Sequence, residues 1–286
     1  MKSLPTTTTV ETHRDLARDR IMINGQAPSP REVARVEAVL DKLRNLSESR
    51  DRVHVQSRNA EVKGKGLGFS ASGFAALGKA ASKALGLSLK DRELSEVVRL
   101  GAGSAARSLV GGFSIWYANR NGHSYAEQLA SANSVRLKTL IVPIPSEIKT
   151  DTAHADVLTS PFFRARLVYL KRVLRAMKLA IGQKDVAKIG HIAEMDTLNL
   201  HAVTMTGKHG TILFSPLTIR IIDEIHRLRE DEGIAVWYSL DTGPSVFINT
   251  TPEAASKVEK RIRTIADKVI SSDPAGSAHV ITHHLF

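Results

Sequence analysis

A glycine-rich stretch, KGKGLGFSASGFAALGKA at 63–80, is the part of the chain best suited to hold a phosphate group. Its glycines let the main chain fold closely around an anion, and its serines add hydroxyl donors. The alanine-rich run that follows predicts a helix, whose first amides carry partial positive charge. Because the stretch lacks the Gly-Lys-Ser/Thr ending of a P-loop and a dinucleotide fingerprint, a phosphate cradle and a plain structural turn are equally supported.

Two charged residues stand beside glycine-containing breaks. Asp241 ends a predicted strand before Thr-Gly-Pro, so its carboxylate could project from the sheet and accept a proton from a hydroxyl group. The alternative is an Asx-type turn residue. Arg107 lies in a short predicted helix between glycine pairs, and a guanidinium binds carboxylate or phosphate in a bidentate fork. Its alternative is an ordinary surface arginine.

The remaining candidates are histidines and one polar helix pair. His201 fits a buried position on a helix, and His154 lies in a polar segment. The histidines at 283–284 are neighbours in a predicted strand, so their side chains point to opposite faces. Asp196 and Asn199 share a helix face, which suits either a site wall or a solvated edge. No metal site is predicted.

The predicted elements define an α+β fold. The clearest helix, 29–46, begins with a capping box of Ser29 and Glu32 around Pro30, and a second capping box is predicted from Ser88 and Asp91. The other helices are predicted to start near 70 and to cover 88–100, 104–109, 160–181, 185–204, 215–231 and 252–271. Strands are predicted at 6–11, 20–26, 52–58, 113–119, 137–144, 234–241, 245–250 and 278–285. The polar segment 145–159 predicts a boundary between domains at 1–150 and 151–286.

The chain has a net charge of +11, which favours an anionic ligand. The 40 lysines and arginines are spread along the chain and aromatic residues make up 5%, so a small phosphorylated molecule is favoured over nucleic acid. Cysteine is absent, so thiolate chemistry and disulfides are excluded. No apolar run predicts a membrane span and the first residues lack a secretion signal, so we expect a cytoplasmic protein without a membrane or nucleic-acid partner.

Six stretches, taken in order, resemble the mevalonate diphosphate decarboxylases of the GHMP kinase superfamily. Three of them are GLGFSASGFAAL (66–77), RLGAGSAARSLVGGFSIW (99–116) and LDTGPSVFIN (240–249). The others are TTTTVETHRDLARDRIMING (6–25), LTSPFFRAR (158–166) and MDTLNLHAVTMT (195–206). The resemblance implies a ribosomal-protein-like N-terminal domain, a ferredoxin-like C-terminal domain, a cleft between them, and a homodimer.

The resemblance also implies the chemistry and the site. The family phosphorylates a tertiary 3-hydroxyl with ATP and Mg²⁺, then releases phosphate and carbon dioxide to form an isopentenyl product. The resemblance assigns catalysis to Asp241 and Arg107, and substrate binding to Ser104, Arg107 and His154. It assigns the ATP phosphates to the glycine-rich residues Gly66, Gly68, Ser70, Ala71, Ser72 and Gly73. Phe69 and Ala102 replace serines of the family pattern, and Val62 replaces a proline.

Several functions stay open within and beyond this resemblance. The substrate expected first is mevalonate 5-diphosphate, narrowly ahead of the 5-phosphate. Alternatives are ATP-independent decarboxylation of the 3,5-bisphosphate and a mevalonate 3-kinase. The non-enzyme alternative is a basic RNA-binding module, because the N-terminal fold of the superfamily is shared with ribosomal proteins.

One family segment has no counterpart in these 286 residues. It resembles Ala-Pro-x-Asn-Ile-Ala-x-Ile-Lys-Tyr-Trp-Gly-Lys, precedes the threonine-rich hairpin, and carries a lysine expected beside the catalytic pair. A start site placed too late is preferred to a divergent enzyme with feeble activity, because the other motifs are intact. The genomic DNA upstream of Met1 would decide between the two.

Overall fold

The computed structural model describes residues 1–148 and 150–286, which form two units. The N-terminal unit contains 1–61, 68–132 and 275–286, and the C-terminal unit contains 62–67 and 133–274. Position 149, inside the predicted boundary segment, lies outside the described residues. The division at 150 and 151 stays a prediction.

The N-terminal unit combines a three-stranded sheet, a hairpin and four helices. Its sheet has the order β1-β3-β2, with β1 antiparallel and β2 parallel to β3, and β4 and β5 form the hairpin. The strands are β1 (Thr6–His13), β2 (Arg20–Ile23), β3 (Arg52–Asn59), β4 (Phe113–Arg120) and β5 (His123–Ala130). The helices are α1 (Pro30–Ser47), α2 (Phe69–Ala84), α3 (Asp91–Val98) and α4 (Ala105–Val110).

The C-terminal unit has a four-stranded antiparallel sheet with the order β7-β8-β6-β9. Its strands are β6 (Lys138–Val142), β7 (Val236–Ser239), β8 (Val246–Thr250) and β9 (Ile270–Ser272). Its helices are α5 (Thr150–Thr159), α6 (Phe163–Gln183), α7 (Val186–Met205), α8 (Pro216–Glu230) and α9 (Pro252–Ile262). Helices between β6 and β7 and between β8 and β9 give the predicted ferredoxin-like order, and the α+β class is confirmed.

Each unit has its own apolar core. In the N-terminal unit, α1 presents Val39, Leu40 and Leu43, all fully buried, to Val53 of the sheet. In the C-terminal unit, Ile221 and its neighbours on α8 pack against the sheet with Val258 and Ile262 of α9. No helix in the described part of the chain has the length and hydropathy needed to cross a bilayer.

Local signals set several helix starts. Ser29 and Glu32 form the predicted capping box of α1, with the Ser29 amide donating to Glu32 Oε2 at 2.8 Å. Ser215 caps α8, the helix predicted over 215–231, by accepting the amide of Thr218. The capping box predicted from Ser88 and Asp91 is wrong, because α3 starts at Asp91 and the amide of its N-cap residue, Lys90, donates to Glu93 Oε2 at 2.9 Å.

Other predictions also differ from the structure, and one is the helix predicted over 252–271, which ends at Ile262 and is followed by β9. Segment 278–285 forms no strand, because single hydrogen bonds hold it: Ala278 N–H donates to Leu109 O and Leu285 N–H to Thr9 Oγ1. The segment predicted as irregular contains α5, whose threonines are poor helix formers and hid its helical character. Strand β5 was not predicted, although Asn121 and Gly122 form the left-handed turn that precedes it.

Candidate active site

Asp241 stands in the turn between β7 and β8. The Gly243 amide donates to the Asp241 carbonyl oxygen at 2.9 Å, which makes the turn tight. Residues 242–245 are buried, whereas Asp241 is exposed. Its carboxylate has no hydrogen-bond or ion-pair partner among the described residues of the C-terminal unit. The turn is therefore rigid at its base and presents a carboxylate that is free to bind a ligand.

His201 of α7 contacts the main chain of the same turn. Its Nε2 lies 3.2 Å from the Asp241 carbonyl oxygen, and its ring stacks on Phe214 with the centroids 4.4 Å apart. Burial lowers the pKa of His201 to about 4, so the ring is neutral near pH 7 and Nε2–H donates to the carbonyl oxygen. The prediction that His201 is a buried helix residue is confirmed, since its side chain is 1% exposed.

Two buried threonines complete the support. Thr197 Oγ1, one turn before His201 on α7, accepts the amide of Leu240 at 3.1 Å. Thr218 Oγ1, in the first turn of α8, donates to Pro244 O at 2.8 Å. Helices α7 and α8 therefore hold both sides of the Asp241 turn. Sequence reasoning missed both threonines, because neither lies in a pattern that distinguishes it from other core threonines.

The first part of the glycine-rich stretch lies directly against this turn. Lys65 N–H donates to Ile144 O at 3.0 Å, which fixes the segment at the end of β6. A Cβ at Gly243 would lie 2.6 Å from the Lys65 carbonyl carbon and 2.7 Å from the Gly66 nitrogen. Gly66 itself has φ +80°, a left-handed conformation that favours glycine. The two main chains therefore meet at a distance that only glycine at 243 permits.

The second part of the stretch forms the start of α2. Gly68, at φ +79°, precedes the helix without a side-chain cap. The amides of Ala71 and Ser72 donate to Gly68 O at 3.0 and 3.1 Å, and Ser72 Oγ lies 2.7 Å from Thr6 Oγ1. Of the predicted phosphate ligands, Ser70 keeps an exposed hydroxyl with no partner among the described residues of the N-terminal unit. The first amides of α2 and the Ser70 hydroxyl are thus the donors left for an anion.

A cavity of about 270 Å³ lies beside the start of α2 in the N-terminal unit. Its apolar lining includes Ile23, Val55 and Phe74, and its polar lining includes Asn24 and Asn59. Phe69, Ser70 and Gly73 also line it, so the cavity adjoins the candidate phosphate donors. A wall that combines apolar side chains with polar and charged ones, among them Glu32 and Arg35, can bury an organic group and also hydrogen-bond it.

Arg107 and Ser104 lie one turn apart around α4. Ser104 is the N-cap residue, and its side chain makes no capping hydrogen bond. The Arg107 side chain is exposed and forms no ion pair with the described residues of its unit, although its carbonyl oxygen accepts the Gly111 amide at 3.1 Å. Both side chains are therefore available to an anion. Arg107 and Asp241 belong to different units, so their predicted convergence in a cleft stays a prediction.

The other predicted residues have different surroundings. His154 is an exposed residue of α5, so it is accessible to a ligand. Asp196 and Asn199 both accept hydrogen bonds from Arg166 of α6. Its Nη1 lies 3.0 Å from Asp196 Oδ1 and 2.5 Å from Asn199 Oδ1. Arg166 is 8% exposed, so this cluster joins α6 to α7.

Asp156, two residues after His154 on α5, is a buried carboxylate that the sequence did not single out. It accepts hydrogen bonds from the Thr211 hydroxyl and from the main chain and ring of His209, both at 2.8 Å. These bonds, that of Thr211 foremost, hold the pKa of Asp156 at about 2. Asp156 therefore anchors the loop that follows α7.

Comparisons with known proteins agree with this architecture. A family model described as Diphosphomevalonate decarboxylase-like N-terminal domain matches residues 1–126, and one described as Mevalonate 5-diphosphate decarboxylase C-terminal domain matches 148–279. MDDEF, solved in complex with MVAPP, AMPPCP and magnesium, is 26% identical with a TM-score of 0.88 over 96% of this chain and 86% of its own. The fold is thus the two-domain fold of the GHMP kinase superfamily.

Two curated relatives identify the family. Phosphomevalonate decarboxylase of Haloferax volcanii is 35% identical over 272 residues, which are 95% of this chain and 83% of that one. Diphosphomevalonate decarboxylase of Saccharomyces cerevisiae is 30% identical over 277 residues, which are 89% of this chain and 70% of the relative. The chain belongs to the mevalonate diphosphate decarboxylase family. It is accordingly a carboxy-lyase.

Proposed function

We propose that this carboxy-lyase decarboxylates a 5-phosphorylated mevalonate in an ATP-dependent reaction of the mevalonate pathway, forming the corresponding isopentenyl phosphate. The observation that carries the proposal is the close contact of Gly243 with Lys65 and Gly66. It joins a carboxylate-bearing turn to the segment that leads into the first turn of α2. Along the chain, this segment continues into the first turn of α2, where we place the phosphate donors, and Asp241 is the proton acceptor that we propose.

The chemistry assigned to the described residues is proton transfer and charge neutralisation. The Asp241 carboxylate accepts the proton of the substrate's 3-hydroxyl as that oxygen takes the terminal phosphoryl group of ATP. The C3–O bond then breaks and phosphate leaves. The bond from C2 to the carboxylate carbon breaks with it, carbon dioxide leaves, and the electron pair becomes the new double bond. Arg107 and Ser104 bind the substrate's carboxylate or phosphate.

The described residues fit a nucleotide in two respects. The first amides of α2 and the Ser70 hydroxyl would hold its phosphates, and the adjoining cavity, lined by both apolar and polar side chains, would take its base. ATP supplies the phosphoryl group that turns the hydroxyl into a leaving group. We assign Mg²⁺ to the nucleotide phosphates, as is usual for this ion.

The 5-phosphate is the substrate that we place first, and the 5-diphosphate second. The Haloferax relative, named for phosphomevalonate, is 35% identical, whereas the yeast relative, named for diphosphomevalonate, is 30% identical. This order reverses the narrow preference drawn from the sequence. We also propose a cytoplasmic homodimer, which sedimentation equilibrium would test for its oligomeric state.

A substrate panel tests the proposal. The purified chain is incubated with mevalonate and its 5-phosphate, 5-diphosphate and 3,5-bisphosphate, each with and without Mg-ATP, and carbon dioxide and ADP are measured. We expect carbon dioxide and ADP in equal amounts from the 5-phosphate with ATP. Carbon dioxide from the bisphosphate alone would support the ATP-independent alternative, and ADP without carbon dioxide the 3-kinase. Carbon dioxide from none of the four would contradict the proposal.

A further inference from the structure

Three side chains of types that can coordinate transition metals lie together on one face of the N-terminal sheet. They are Glu11 and His13 of β1 and His54 of β3, and one ligand atom from each lies within 4.8 Å of the other two. His13 Nε2 is 3.0 Å from Glu11 Oε2. We propose that these three residues form a binding site for one divalent transition-metal ion, with zinc as the best match.

Strand register fixes the position of all three ligands. Glu11 of β1 is directly paired with His54 of β3, and alternate residues of a strand share a face, so His13 lies beside Glu11. Eight residues of β1 pair with eight of β3 without a bulge, so the ligands stand on a regular ladder. Side chains at directly paired and diagonal positions are within reach of each other.

The donor set selects the metal. Two imidazole nitrogens and one carboxylate oxygen form a common three-residue zinc set, which leaves the fourth position open. Arg20 is paired with His54 and Arg52 with His13, so both arginines share the face with the site. Their positive charge opposes ions held mainly by charge and oxygen ligands, such as Mg²⁺ and Ca²⁺. Zinc, nickel and copper gain from imidazole and are favoured.

The proposed ion would also stabilise the last residues of the chain. The Phe286 ring stacks on His54 with the centroids 4.4 Å apart and the planes 8° apart. The Leu285 amide donates to Thr9 Oγ1 at 3.1 Å, and Thr9 lies two residues before Glu11 on the same face of β1. An ion that holds His54 would therefore link β1, β3 and the final segment. Binding of the ion to these residues would stabilise the folded state, because the three ligands are brought together only there.

Metal titration tests the site independently of decarboxylation. Zinc is titrated calorimetrically into the metal-stripped chain, and Co²⁺ is added as a visible-absorbing probe. We expect one equivalent of zinc to bind and to raise the melting temperature. Millimolar Mg²⁺ should not change the affinity for zinc. His13→Gln, His54→Gln and Glu11→Gln should each weaken zinc binding by about tenfold or more and remove the Co²⁺ absorption bands.

A matched control distinguishes this site from general binding by surface histidines. His123 Nδ1 lies 3.4 Å from Glu96 Oε1 and forms a similar exposed pair, but this pair is not in the three-residue group. His123→Gln should leave zinc affinity unchanged. Melting curves in EDTA show whether each variant is folded, and Glu11→Gln keeps the stacking of His54 on Phe286. The proposal would be overturned if the wild type failed to bind one equivalent of zinc. It would also be overturned if the folded His13→Gln and Glu11→Gln variants bound zinc as tightly as the wild type.

Discussion

His201 Nε2 lies 3.2 Å from the main-chain oxygen of Asp241, and this buried contact links α7 to the proposed proton acceptor. The imidazole is neutral because burial lowers its pKa to about 4. The residue touches the main chain of Asp241 and not its carboxylate. We therefore assign His201 a positioning role, separate from the chemistry of Asp241.

Replacing His201 with Phe should lower kcat much more than it raises KM. Phenylalanine keeps the stacking on Phe214 but removes the Nε2–H donor, so the Asp241 carbonyl oxygen loses its partner and the turn shifts. Small displacements of a reacting group cost up to about 10²-fold in rate. Steady-state kinetics on the folded variant check this expectation, and an unchanged kcat would contradict the positioning role.

The buried, neutral state of His201 should also affect the pH dependence of stability. The pKa of His201 is about 4 in the folded state, against 6.5 for an exposed histidine, so the unfolded chain binds the proton more tightly. Its contribution is present above pH 6.5 and is lost as pH falls from 6.5 towards 4. The difference corresponds to about 3 kcal/mol of unfolding free energy. Urea denaturation at several pH values should show a steeper loss in the wild type than in His201→Phe over this window.

Asp241→Asn should abolish turnover while leaving nucleotide binding intact. The amide keeps the size of the side chain but cannot accept the hydroxyl proton, and general-base contributions are about 10²- to 10⁴-fold. Carbon dioxide release measures the first effect, and fluorescence titration with a labelled ATP analogue measures the second. Turnover equal to wild type would refute the role of Asp241.

Arg107→Lys and Arg107→Ala should both raise the KM for the phosphorylated substrate. Lysine keeps the charge but lacks the planar fork, so we expect it to recover only part of the loss. The Arg107 side chain has no ion-pair partner among the described residues of its unit, so both variants should unfold at the wild-type urea concentration. Full rescue by lysine would show that charge alone is required there.

Gly243→Ala should impair both stability and activity. The added Cβ would overlap the main chain of Lys65 and Gly66, and such overpacking costs about 1–3 kcal/mol. Gly182→Ala is a matched control in α6 of the same unit, because its Cβ would meet nothing within 4 Å and alanine favours helix by up to about 1 kcal/mol. Equal activity in the two variants would show that the contact at Gly243 has no function.

Local chemistry made part of the fold predictable. Ser29 with Glu32 and Ser215 before Pro216 determine helix starts through bonds within four residues, so the sequence reveals them directly. The end of the last helix and the conformation of 278–285 depend on packing with distant segments, and both were predicted incorrectly. Helix α9 ends at Ile262, where 271 was expected.

The candidate site was predictable only where a motif spans adjacent residues. The Asp241 turn and the glycine-rich stretch are short motifs, and the family resemblance identified both as candidate site residues. Their contact through Gly243, the bond from His201 and the grouping of Glu11 with His54 join residues more than 39 positions apart. No spacing rule in a single sequence encodes such pairs, because folding alone brings them together.

The interleaving of the two units has a consequence for how this protein can be divided. The chain passes from one unit to the other after residues 61, 67, 132 and 274. Any single cut therefore leaves at least one unit without a strip of its own sequence: a break after 132 separates 62–67 from the C-terminal unit and 275–286 from the N-terminal unit. Neither half, expressed alone after such a cut, should therefore fold into a complete unit.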